Sequence, residues 1–160
     1  MKPSPIQTKS LIYGELHVSP YDNGQSEFED DFTWHGVNIQ INTRHAPVAD
    51  SENEYALLLR LRVPNKDGKP APYSLDLSVM GKFSYIGAPR DDALDLVVVN
   101  GLSILYSSLR ETVMTVTSRM LYGPLCLPGA NFADHAPSLA VDQSPPSSGT
   151  GDRNGSSTGD

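Results

Sequence analysis

The chain has 160 residues, 38% of them hydrophobic, which suffices for one domain around a single apolar core. Nineteen acidic against 12 basic residues leave a net charge of −7, the wrong sign for a partner held through phosphates. The longest apolar run, Tyr55 to Leu59, is too short to span a bilayer, no apolar stretch follows Lys2, and Cys126 is the only cysteine; no leader, membrane span or internal disulfide is expected, and the expected compartment is the cytoplasm.

Residues 1–10 read as a flexible N-terminus. From Leu11 to Val18, Ile12, Leu16 and Val18 share one parity while Tyr13, Glu15 and His17 take the other, which predicts a half-buried strand. An acidic loop follows. Trp34, Val37, Ile39 and Ile41 then open a second extended run whose parity breaks near Gly36, through a bulge or a late strand start. In the third run Tyr55, Leu57, Leu59, Leu61 and Val63 alternate with residues that become polar. The connection from Pro64 to Pro70 carries Asp-Gly turn chemistry and predicts an antiparallel hairpin. Its second strand is the clearest, with Tyr73, Leu75, Leu77, Val79, Gly81, Phe83 and Tyr85 on one face.

Beyond Gly87 the period changes. Leu102, Leu105, Leu109, Val113, Val116 and Met120 recur every three or four residues, the spacing of one stripe on a long helix. Asn100 or Ser103 would cap it, and Gly123-Pro124 would stop it. Asp91 to Val99 stays open between helix and strand, because its first acids suit a helix start and Val97-Val98-Val99 suit a strand. Four strands followed by a long helix spell α+β, an antiparallel sheet backed by helix on one face. Gln143 to Asp160 contain no apolar side chain and read as a disordered Ser/Gly/Pro-rich tail over residues 143–160.

Little in the chain points to catalysis. His17, His35, His45 and His135 show no metal-ligand spacing, Cys126 has no neighbouring base, and no Gly-rich phosphate loop occurs. Neither metal nor cofactor is expected, and the protein is read as a non-enzyme; a small hydrolase using His35 or His45 with a loop acid is the catalytic alternative.

The run from Asn100 to Phe132 resembles the main helix and following loop of the SecB family of protein-export chaperones. Ile104-Leu105-Tyr106, Arg110-Glu111, Ser118-Arg119 and Leu125-x-Leu127 ending in Asn131-Phe132 carry the likeness. Upstream, Gly81-x-Phe83-Ser84-Tyr85-Ile86-Gly87 resembles the end of the family's third strand, and Ile12-Tyr13-Gly14-Glu15-Leu16 its first. The resemblance implies a homotetramer, a dimer of dimers, that holds unfolded precursor polypeptides in apolar grooves and delivers them to the translocation ATPase SecA without catalytic residues. Residues 11–142 would form the chaperone domain. With Pro137 soon after Phe132, the family's second helix should be short or absent.

Candidate groove residues are Phe83, Tyr85, Ile86, Leu105, Tyr106, Leu109, Leu125 and Leu127, each with ordinary core as its alternative role. Val113, Val116, Thr117 and Met120 are candidates for an oligomer interface, or for packing on their own sheet. Glu15 and Asp76 fall where the family's SecA-docking acids lie. The alternative function is an adaptor or solitary chaperone dedicated to one protein partner.

Overall fold

A computed structural model describes residues 3–22, 27–29, 31–88 and 90–141. Four strands, β1 (Ile6–Pro20), β2 (Gln40–Pro47), β3 (Glu54–Val63) and β4 (Tyr73–Tyr85), precede the long helix α1 (Ala93–Thr117). A 3-10 turn (Ala133–His135) and the short helix α2 (Pro137–Val141) close the described chain. The sheet order is β1-β4-β3-β2, with every pair antiparallel. The second helix is therefore present but only five residues long, and the tail expected over residues 143–160 lies outside the described residues.

The alternation in β3 and β4 decides which face is buried. Leu57, Leu59, Leu61 and Val63 pair with Gly81, Val79, Leu77 and Leu75 on the helix side, and these apolar side chains are almost fully buried. Leu102, Leu105, Leu109 and Val113 of α1 close over them. Burying one such side chain contributes about 1.5–3 kcal/mol, so this sheet-to-helix seam dominates the fold's stability. A Cβ on Gly101 would stand 2.3 Å from Leu57 Cδ1 and 3.3 Å from the Phe83 ring. Glycine there sets how closely the helix lies on the sheet.

Two elements, β1 and α1, depart from the sequence reading, and β2 takes the late start that its parity break allows. β1 begins at Ile6, inside the segment read as a flexible N-terminus, because Ile6 to Ser10 pair with the end of β4. It also carries a bulge: Tyr13 faces Val79 and Leu16 faces Leu77, so β1 spends one extra residue. Parity flips there. Ile12 pairs with Met80 on the outer face and is 56% exposed, while Tyr13 turns toward α1 and shares hydrogen bonds with the hydroxyls of Ser108 and Thr112. β2 starts late, at Gln40, since Gly36 sits at φ 82° in a turn.

α1 begins at Ala93, well before the expected caps. Burial of Val97 and Val98 against the sheet outweighs their strand propensity. Asn100 and Ser103 instead bond back to the Leu96 and Val99 carbonyls within the helix. By length and composition alone this 25-residue helix is apolar enough to cross a bilayer, as a core helix can be; here its apolar stripe is packed on the sheet.

Candidate functional site

Most of the expected groove residues are core. Phe83, Tyr85, Leu105, Tyr106, Leu109, Leu125 and Leu127 are all buried, and only Ile86, 59% exposed, faces solvent. Tyr106 stacks edge-on against Phe132 and donates its hydroxyl proton to the Pro128 carbonyl at 2.6 Å. Burial pushes its phenol pKa up. These side chains touch one another because a strand face and a helix stripe meet, so as an open groove they fail within the single chain.

The expected interface residues split in the same way. Val113 and Thr117 are fully buried, whereas Val116 is exposed and Met120 half-buried. Thr117 works inside the chain, where its hydroxyl donates to the Val113 carbonyl at 2.7 Å and accepts the Leu125 amide at 2.8 Å. That pair pins the segment after α1 to the helix end.

An open site lined by aromatic rings exists elsewhere. Phe28, Phe32 and Trp34 from the loop before β2 face Tyr122, Pro124, Leu125 and Cys126 from the segment after α1, around a cavity of about 480 Å³. The rings interlock: Phe32 meets Phe28 at 5.8 Å and Trp34 at 5.1 Å, and Phe28 meets Tyr122 at 5.5 Å. Phe32, Trp34 and Tyr122 are only partly buried.

Both walls are held by hydrogen bonds. The Tyr73 hydroxyl, at the start of β4, donates to the Gly123 carbonyl and accepts the Tyr122 amide, at 2.8 and 2.9 Å. Desolvation raises the Tyr73 phenol pKa, keeping it a proton donor. On the other wall the Lys69 amide bonds the Gly36 carbonyl, and the Lys69 ammonium lies over the Phe32 ring and beside Glu29. The Trp34 indole donates to the Cys126 carbonyl at 2.9 Å, joining the two walls. Of the expected groove residues, only Leu125 lines this cavity. The sequence does carry a signal for it: three aromatic residues, Phe28, Phe32 and Trp34, inside a loop otherwise too polar to need them.

On the opposite face of the sheet, Arg60 takes both carboxylate oxygens of Asp76 at 2.9 Å and reaches Glu15 at 2.7 Å. Arg62 adds a contact to Asp76 at 3.3 Å. The Arg60 hydrogen bond, above all, holds the Asp76 carboxyl below the ordinary carboxylate range. A depressed pKa stabilises the fold above the unfolded value, and that gain disappears as pH falls through the folded one. Wild type is therefore expected to melt above Asp76→Asn at pH 7 and to converge with it in acid, as a thermal denaturation series would record. A gap that persists at low pH would detach the effect from this carboxylate.

The candidate site is thus a solvent-open aromatic cavity, and no cluster of metal-ligating side chains occurs among the described residues. Residues 23–135, more than half of the chain, match the family described as preprotein translocase subunit SecB, and the chain belongs to that family. It is 27% identical over 96 residues to the protein-export protein SecB of Nitrobacter winogradskyi, covering 60% of this chain and 59% of that one. It is 28% identical over 97 residues to SecB of Sinorhizobium medicae, covering 61% and 56%. The chain thus spans less than two-thirds of the length of the curated relatives it matches. Among solved structures, a SecB-like chaperone of Mycobacterium tuberculosis in complex with an antitoxin peptide aligns at a TM-score of 0.45 and 16% identity, covering 78% of this chain and 90% of that one.

Proposed function

We propose that the chain is a holdase that binds non-native polypeptides and keeps them competent for translocation. The observation that carries this is the aromatic cavity between Trp34 and Tyr122, open to solvent and lined by rings that gain from burial against almost any apolar segment. Family membership supports the same reading, with the cytoplasm as its place of work and no catalytic step. The chain is expected to suppress aggregation of several unrelated unfolded proteins near stoichiometric ratio, followed by light scattering. Protection of one protein alone would replace the general holdase with a dedicated adaptor.

The proposal includes a homotetramer built as a dimer of dimers. Ile104, Met114 and Val116 on the outward side of α1 are exposed apolar residues, which supports burial against other copies. Solution mass from multi-angle light scattering tests it, and a monomer at micromolar concentration would reject it. Delivery to SecA through Glu15 and Asp76 is also part of the reading, although Arg60 already pairs with both acids. The double variant Glu15→Lys with Asp76→Lys is expected to lower SecA affinity while client holding persists; unchanged affinity would remove these acids from the docking surface.

A further inference from the structure

The outer face of the sheet carries charge of the opposite sign to the chain as a whole. Register places Arg44, Arg60, Arg62 and Lys82 on this face, against the carboxylates Glu54 and Asp76, with Glu15 at the β1 bulge. The protein's net charge is −7. Arg60 and Arg62 are partly neutralised by Asp76 and Glu15, whereas Arg44 has no ion pair among the described residues.

Two hollows meet on this face. One, of about 420 Å³, is bordered by Asn42, Arg44, Leu58, Arg60 and Arg62. The other, of about 280 Å³, is bordered by Ala46, Ala56, Leu58 and Met80, and its wall is nearly all carbon. Arg44 and Leu58 belong to both. The two hollows therefore adjoin across Arg44 and Leu58, the first guanidinium-lined and the second almost wholly apolar.

We propose that this surface docks an extended acidic polypeptide segment in which a carboxylate side chain is followed, two residues on, by an apolar one. Arg44 and Ala46 stand two residues apart on β2, which in a strand is about 6.6–6.8 Å. An extended segment lying along β2 and β3 repeats its side chains at that same interval, so an acid over Arg44 brings its second neighbour over Ala46 and Ala56, in the apolar hollow that Leu58 and Met80 also border. Arginine favours carboxylates through its paired N–H donors. With no ion pair among the described residues, the Arg44 guanidinium is open to that contact. The apolar hollow has nothing to offer a phosphate backbone, and the acidic chain repels one, so a protein segment fits better than nucleic acid.

The test is fluorescence anisotropy of the full chain with a labelled nine-residue peptide, Glu-Ser-Leu repeated, compared with Gln in place of Glu and with an oligothymidine of nine nucleotides. The Glu peptide should bind, weaken as salt rises, and lose about tenfold in affinity in Arg44→Glu and again in Met80→Glu. Neither residue is core, so both variants should melt like wild type. A Phe28→Ser with Phe32→Ser variant should bind the peptide normally. Equal binding of the Gln peptide, indifference to Arg44→Glu, or loss of binding in the Phe28/Phe32 variant would overturn the proposal, the last by moving the peptide to the aromatic cavity. Stronger binding of oligothymidine would reassign the arginines to nucleic acid, and absence of binding at low salt would also overturn it.

Discussion

Tyr106→Ala is expected to lower the free energy of unfolding by about 3–5 kcal/mol, the usual cost of deleting a buried aromatic ring. The residue is 5% exposed, its ring meets Phe132 edge-on at 5.7 Å, and its hydroxyl satisfies the Pro128 carbonyl. Truncation would leave a void between α1 and the segment after it, together with a carbonyl short of a donor. Tyr106→Phe keeps the ring and should cost only about 1 kcal/mol, the net worth of one hydrogen bond. Urea denaturation separates the two variants through their midpoints at constant slope. If Tyr106→Ala unfolded within about 1 kcal/mol of wild type, the ring would belong to an open groove and not to the core.

The double variant Phe28→Ser with Phe32→Ser is expected to raise the concentration needed to prevent client aggregation by about tenfold or more, equivalent to roughly 1.4 kcal/mol of lost binding. Both rings sit in the loop before β2, outside the fully buried seam of sheet and helix, and both line the cavity. Serine removes apolar area without adding a charge that Lys69 could pair with. The melting temperature should therefore move little. Full holding activity in this variant would dismiss the aromatic cavity as the client site, wherever else the chain binds.

β3, β4 and the stripe Leu102, Leu105, Leu109 and Val113 are legible because burial imposes a period on them: two along a strand, three to four along a helix. The face of Ile12 is not legible, since a bulge at Gly14 and Glu15 is selected by pairing with β4 and leaves no local mark that parity can detect. Nor is the start of α1, because Val97 and Val98 are helical only by virtue of the sheet beneath them. Periodicity names residues that are apolar in a pattern, and such residues are usually sealed. Phe83, Leu105 and Leu109 are sealed between sheet and helix on that account, while Phe28, Phe32 and Trp34, which follow no period, stay partly open around the cavity. The ion pairs of Glu15 and Asp76 depend on register across three strands, information that no single stretch of the chain contains.

The bond from the Trp34 indole to the Cys126 carbonyl acts as a latch. Under the proposed function, a guest strand whose amide took the indole's place on that carbonyl would trade one hydrogen bond for another, an exchange that costs little. Folded proteins, whose amides are already committed inside helices and sheets, have nothing to trade. In that reading, discrimination between unfolded and native chains would need no reading of sequence, and release of the indole would report each admission through its own emission.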